Sequence, residues 1–469
     1  MRYVSLLAFL LVLTPCVGEA QTEATRIYVR YIEFQGVSRI NDDVLRRELL
    51  QLEGGYLNTA ALEQSRLRLE QLAYIERVQV TLEPVEDARD QVDIVMTITE
   101  APARRYGGGG AYSESLRASL NGYFTNENIF GTGQRCSARV DVSEFREIVE
   151  LSHTDPYARS DRVSRTVTVS SRQSDQLTAD TTELEANLAT ARLQYGYRIG
   201  KFQAISLGLA LHDVDLTTGV VVSEQLFDWV RNNGNPVVQG TVVSTDFWVA
   251  EFLLRWRRDT RNRRIFPDRG AEQSLTFRTA VPGSEAEYYA IDYELTKYWP
   301  LDGRWTARFG AKLGFGAKYG SETSSLPPYL NWFAGGPRSV RGYRENRLGP
   351  RDSLANPYGG NLFVSGQFEL MMPLPEKWTE RLRIAFFYDL GNVFSTENVS
   401  FLYDDGQSLD YGFELSRLRQ SAGLAAQILI PIGVLRLSYG VPLNADDDNP
   451  NRFLRDAIER YQITVGVDF

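Results

Sequence analysis

Four arginines punctuate the stretch GGPRSVRGYRENRLGP, Gly335 to Pro350, and one of them, Arg341, stands between Val340 and Gly342 with Tyr343 following. Gly and Pro at this density mark a loop, here around 333–350, since neither residue sustains a strand or a helix. A guanidinium is a planar fork of donors that matches carboxylate acceptors. The chemistry open to Arg341 is therefore charge-assisted pairing. Two acceptors follow in the chain. In NLFVSGQFELMMP, Ser365, Gln367 and Glu369 share one face, while Leu362, Val364, Phe368 and Leu370 share the other. By the same period of two, Asp389 shares a face with Arg383, Ala385 and Phe387, opposite Leu382, Ile384, Phe386 and Tyr388.

Other chemistries find little support. The chain has no Gly-x-Ser-x-Gly, no His-Glu-x-x-His and no P-loop, so covalent catalysis is not expected. The glycine run Gly107, Gly108, Gly109, Gly110 is not followed by Gly-Lys-Ser or Gly-Lys-Thr, which argues against a phosphate cradle. His153 and His212 lie far apart, and Cys136 is alone once Cys16 leaves with an export signal. No disulfide, metal site or cofactor is expected. A net charge of -9 argues against a nucleic-acid binder, which needs a basic face. Asp446, Asp447 and Asp448 read as a solvated surface loop.

The elements that must position these residues fall into three parts. Residues 1–20 read as a signal peptide, with Arg2, an apolar run Val4 to Leu13, and the small residues Gly18 and Ala20 before cleavage. Residues 26–100 read as a small β-α-α-β-β domain. Its first strand ends at Ile32 and Phe34, one helix runs from Val44 to Leu50, and Asn58 or Thr59 caps a second. From residue 106 the helix period gives way to alternation. Ile205, Leu207, Leu209 and Leu211 alternate with Ser206, Gly208 and Ala210, and other runs repeat the pattern. Period two in segments of about ten residues is the signature of a transmembrane antiparallel β-barrel, here of about sixteen strands over 106–469. A soluble β-sandwich is the alternative. The end of the chain favours the barrel: Tyr461, Ile463, Val465, Val467 and Phe469 are apolar at every second position, and a terminal aromatic suits a membrane boundary.

These features together resemble the BamA family of outer-membrane assembly factors. YVRYIEFQG, VLRRELLQLEGGYL and LEQLAYIERVQV resemble one POTRA domain, the repeat next to the barrel. FTNENIFGTGQ, the DPY at Asp155 to Tyr157, and RDTRNRRIFPDRG resemble early- and mid-barrel motifs. FAGGPRSVRGY is similar to the family's signature loop. GQFELMMPLP, FFYDLGNVF and SAGLAAQILIPIGVLRLSYGVPL resemble the closing strands. Family members usually carry several POTRA domains, and this chain has room for one, which points to a shortened form.

The resemblance implies that the loop folds back into the barrel and that Arg341 docks on Glu369 and Asp389, with Gly342 turning the backbone and Tyr343 packing beside it. Three unrelated lumen charges in water are the alternative. It implies a seam where the first strand, opening on Gly107–Gly110, meets the last, Tyr461 to Phe469. A glycine-rich strand holds its register poorly, so an incoming strand could add to the exposed edge. The implied function is insertion of β-barrel proteins into the bacterial outer membrane, with the POTRA domain in the periplasm. The implied partners are unfolded barrel proteins, lipid and accessory periplasmic lipoproteins, for which Glu53 marks a contact point or is a plain surface charge. A polypeptide secretion pore of the same superfamily is the alternative, since both classes share the loop.

Overall fold

The computed structural model describes residues 27–466 apart from 87, 114–116, 161, 177–182, 264, 398, 400, 402–408 and 431–432. The expected signal peptide, with Cys16, and the seam residues Val467 and Phe469 lie outside the described residues. The chain divides into two compact units at Ala101/Pro102.

In the first unit β1 (Tyr28–Gln35), β2 (Gly55–Tyr56), β3 (Ile75–Val85) and β4 (Ala88–Glu100) form a sheet in the order β2-β1-β4-β3. Helices α1 (Asp42–Arg46) and α2 (Thr59–Glu70) complete it. Val29, Ile32, Leu45, Leu69, Ile94 and Met96 are buried at its core. The Asn58 side chain accepts from the N–H groups of Ala60 and Ala61 and so caps α2. Helix α1 ends well before Leu50. The N–H groups of Glu48 and Leu49 bond only three residues back, and those of Leu50 and Gln51 turn away to Ser65 Oγ at 2.8 and 3.2 Å. The two-residue β2 is an addition to the pattern read from sequence. Gly54, at φ +74°, reverses the chain and lays Gly55 and Tyr56 against Val29 and Tyr28.

The second unit is a closed antiparallel barrel of sixteen long strands among the described residues. These are β5 (Arg104–Ser113), β6 (Arg117–Ile129), β7 (Gln134–Ser143), β8 (Arg146–Ser160), β9 (Val163–Gln176), β10 (Glu183–Arg198), β11 (Gln203–Thr218) and β12 (Val242–Asp259). They continue with β13 (Gly270–Ala280), β14 (Tyr288–Pro300), β15 (Thr306–Lys318), β16 (Leu362–Met371), β17 (Leu382–Phe394), β18 (Arg419–Ile430), β19 (Gly433–Pro442) and β20 (Tyr461–Gly466). The alternation sets which side chains meet lipid. Val167, Val169, Leu207, Leu209, Leu211, Phe386 and Ile463 are exposed on the outer wall, a band that is stable only against hydrocarbon.

The long connections, β11 to β12, β15 to β16, β17 to β18 and β19 to β20, all lie at one rim. Helix does return beyond residue 106, as a single turn at Glu376–Thr379 and, at greater length, in α3 (Glu224–Asn232). Its Leu226, Trp229 and Val230 pack with Leu184, Val214, Leu216, Val243 and Phe247 in a buried cluster toward the long-loop rim. Apolar residues at spacings of three and four give α3 one buried stripe, too short a signal to stand out among strands.

Candidate functional site

The longest connection, between β15 and β16, is the loop that carries Arg341. Isolated bridges Trp332↔Gly360 and Ala334↔Leu348 hold it as a folded excursion. Ala334, Val340, Tyr343 and Leu348 bury themselves with Phe363 of β16 and Val393 of β17. The loop therefore lies in the lumen, against the barrel wall. Gly342 makes the turn with φ +88°, and a Cβ there would stand 3.1 Å from the backbone of Gly440 on β19. The backbone can approach the wall this closely because residue 342 has no side chain.

Arg341 is 5% exposed, Glu369 3% and Asp389 0%. The backbone N–H and Nε of Arg341 donate to Asp389 Oδ2 at 3.0 and 2.7 Å, and Nη2 donates to Oδ1 at 2.7 Å. Nη1 donates to Glu369 Oε1 at 2.7 Å. The register explains the convergence: Gln367 pairs with Asp389 across β16 and β17, and Glu369 lies two residues on, on the same inward face.

Two further residues complete the cluster. Arg308 on β15 is the register partner of Glu369, with its Nη1 3.5 Å from Oε1. Phe387, next inward residue to Asp389, places its ring 3.8 Å from the Arg341 guanidinium carbon, a cation–π contact. The arrangement has two cations, two carboxylates and an aromatic face, out of water. What it can do is pair charge and fix the loop to the wall. Phe387 was legible by alternation, whereas Arg308 needed the strand register.

The loop also reaches the closing strands. Gly342 and Tyr343 pair antiparallel with Glu459 and Ile458, just before β20. Tyr343 Oη donates to the Gln420 carbonyl at 3.3 Å. The Gln462 amide Nε2 donates to the Tyr343 carbonyl at 2.7 Å.

At the seam, β20 meets β5 through one described register pair, Val465↔Tyr112. Gly107, Gly108, Gly109 and Gly110 pair with Tyr123, Gly122, Asn121 and Leu120 of β6. Tyr461 and Ile463 are exposed on the outer wall, while Gln462 points inward and is buried.

Glu53 lies in the first unit and not at this site. Its Oε1 accepts from the Ile32 N–H at 2.8 Å and from Arg46 Nη1 at 2.9 Å. The Arg46 guanidinium and that backbone donor hold its carboxyl below the usual range. It is half-exposed, and it braces the irregular register of β1 between Val29 and Ile32.

Residues 128–469 match the Omp85 superfamily domain, and residues 27–101 match the surface antigen variable number repeat, the POTRA domain. The outer membrane protein assembly factor BamA of Neisseria meningitidis serogroup B is 28% identical over 466 residues, which cover 95% of this chain and 57% of the relative. BamA of Nitratidesulfovibrio vulgaris is 24% identical over 90% of this chain and 49% of the relative. The chain thus spans about half the length of these relatives. The crystal structure of Haemophilus ducreyi BamA lacking POTRA domains 1–3 superposes with a TM-score of 0.83 at 26% identity, covering 94% of this chain and 84% of that one. CdiB from Acinetobacter baumannii shares the fold, with a TM-score of 0.53 at 13% identity, over 94% of this chain and 74% of that one.

Proposed function

Because the chain belongs to the Omp85 superfamily, we propose that it assembles β-barrel proteins into the bacterial outer membrane, working at the seam between β5 and β20. The POTRA domain then lies in the periplasm. The observation that carries this reading is the run Gly107–Gly110 in β5, the strand that closes the barrel against β20: four residues without side chains hold their register poorly and make a weak closure. A strand edge freed where such a closure parts is a template for another strand. Backbone hydrogen bonds give such pairing affinity without demanding a particular client sequence.

The docked loop supports the same reading. A wall that opens at one point needs bracing elsewhere, and the cluster of Arg341, Glu369, Asp389 and Arg308 ties the loop to β15, β16 and β17. The step involves no covalent change and no nucleotide. The gain comes from the client, which satisfies its backbone and buries its apolar face in lipid. The partners are unfolded barrel proteins, membrane lipid and, at the POTRA domain around Glu53, accessory periplasmic lipoproteins.

Depletion of the chain followed by a census of outer-membrane proteins tests the reading. Broad loss of barrel proteins is the expected result. Loss of one exported polypeptide, with barrels at normal levels, would instead establish a secretion pore.

A further inference from the structure

Strand β20 is six described residues long. It has a full ladder with β19, from Tyr439↔Tyr461 to Val434↔Gly466, and one described pair with β5. Ladder bonds are nearly the same in every register. What specifies register is which face each side chain meets. On β20 the outward residues, Tyr461, Ile463 and Val465, are all apolar, so a two-residue slide keeps lipid-facing chemistry intact. Something on the inner face must supply the stop.

We propose that Gln462 is a positioning residue through which the docked loop holds the last strand in register at the seam; this rests on reading the seam as the working edge. Gln462 is the inward residue of β20 that reaches the loop, it is 4% exposed, and its Nε2 donates to the Tyr343 carbonyl at 2.7 Å. The chain leading into β20 is fixed to the same segment: Gly342↔Glu459 and Tyr343↔Ile458 pair, and the Arg344 N–H donates to the Ala457 carbonyl at 2.8 Å. Tyr343 lies two residues from Arg341, so the ion cluster and the closing strand share one anchored segment. A two-residue slide carries Gln462 about 6.6 Å along the strand, beyond reach of that carbonyl. A one-residue slide puts its amide into lipid and Ile463 into the lumen.

The wall also leaves no slack. Gly342 and Gly440 are in backbone contact, a Cβ on Gly440 standing 2.8 Å from the Gly342 nitrogen. The Gly440 N–H donates to the Arg460 carbonyl at 2.8 Å. Loop, β19 and the start of β20 thus form one packed corner, and Gln462 is the side chain by which β20 reads the loop's position.

The test uses the mature chain, without the expected signal segment that holds Cys16, folded in detergent, with Cys136→Ser removing the remaining native thiol. One reporter pairs Tyr112→Cys with Val465→Cys, the native register; a second pairs Gly110→Cys with Val465→Cys, offset by two residues. Opposed antiparallel positions lie within disulfide reach. The ratio of native to offset disulfide after mild oxidation reports register whether or not the chain inserts barrels, so failure of the functional reading leaves it interpretable. Gln462→Ala and Gln462→Met should each lower that ratio roughly three- to tenfold, the population change expected from one net hydrogen bond, while the barrel keeps its heat-modifiable mobility. Met matches the reach of Gln without its donor, so a wild-type ratio in Gln462→Met with a lowered one in Gln462→Ala would reduce the role to space-filling and overturn the proposal. Unchanged ratios in both would do the same. If neither variant folds, Arg341→Lys is read in their place: a lowered ratio is expected, and an unchanged one overturns the proposal.

Discussion

Arg341 and Asp389 are joined by three hydrogen bonds, from the backbone N–H and Nε to Oδ2 and from Nη2 to Oδ1, so that one residue presents both its main chain and its fork to a single carboxylate. The carboxylate cannot leave the loop for water, because it is fully buried. Loop position and wall charge are therefore one structural variable.

Arg341→Ala leaves Asp389 and Glu369 buried with most of their donors gone. Removing one partner of a buried pair costs about 3–5 kcal/mol. The expected result is a barrel with a lowered urea midpoint and a loop cut by protease between 333 and 350. Arg341→Lys keeps the charge but lacks the fork, and it should fall between wild type and Arg341→Ala in both measurements.

Gly342→Ala tests the backbone side of the same docking. Residue 342 has φ +88° and its Cβ would press on the Gly440 backbone, which cannot rotate away. A non-glycine residue in this conformation costs about 1–3 kcal/mol. Protease sensitivity of the loop should rise with β16 and β17 intact, as seen by unchanged far-ultraviolet circular dichroism.

Much of this was legible in the sequence, for a physical reason. A strand whose two faces meet lipid and lumen writes its facing into every second residue, which is why Glu369, Asp389 and Phe387 could be placed inward from Leu362–Leu370 and Leu382–Asp389 alone. Contacts between segments far apart in the chain leave no such period. Gln462 and Tyr343 are separated by 119 residues, and nothing in the type of Gly440 or Arg308 says which distant partner each meets. Helix α3 was missed because its single buried stripe, Leu226, Trp229 and Val230, is shorter than the windows in which a helical period stands out. The shortened α1 reflects competition: Ser65 Oγ takes the N–H groups of Leu50 and Gln51 that a longer helix would have used.

The POTRA domain carries a pH-dependent brace. Burial pushes the Glu100 carboxyl up, but the Arg39 backbone and guanidinium and the Ser38 donors outweigh it and hold the group at about 2, against 4.5 for a free glutamate. The fold thus favours the ionised form. Its contribution is complete above pH 4.5 and disappears as the pH falls toward about 2. Urea unfolding of this domain in the full chain can be followed by a fluorophore on Glu86→Cys, in an exposed turn. Wild type should lose its advantage over Glu100→Gln between those two pH values and keep it constant above them.

Insertion at the seam requires β5 and β20 to part, and a covalent lock across them tests this most directly. The mature chain carrying Tyr112→Cys, Val465→Cys and Cys136→Ser can be reconstituted in liposomes, oxidised or reduced, and given an urea-unfolded outer-membrane barrel protein. Insertion is read as the client's heat-modifiable, protease-resistant form. The account predicts that the oxidised chain stays folded but loses catalysed insertion, and that reductant restores it. Insertion at the same rate with the disulfide closed would contradict it.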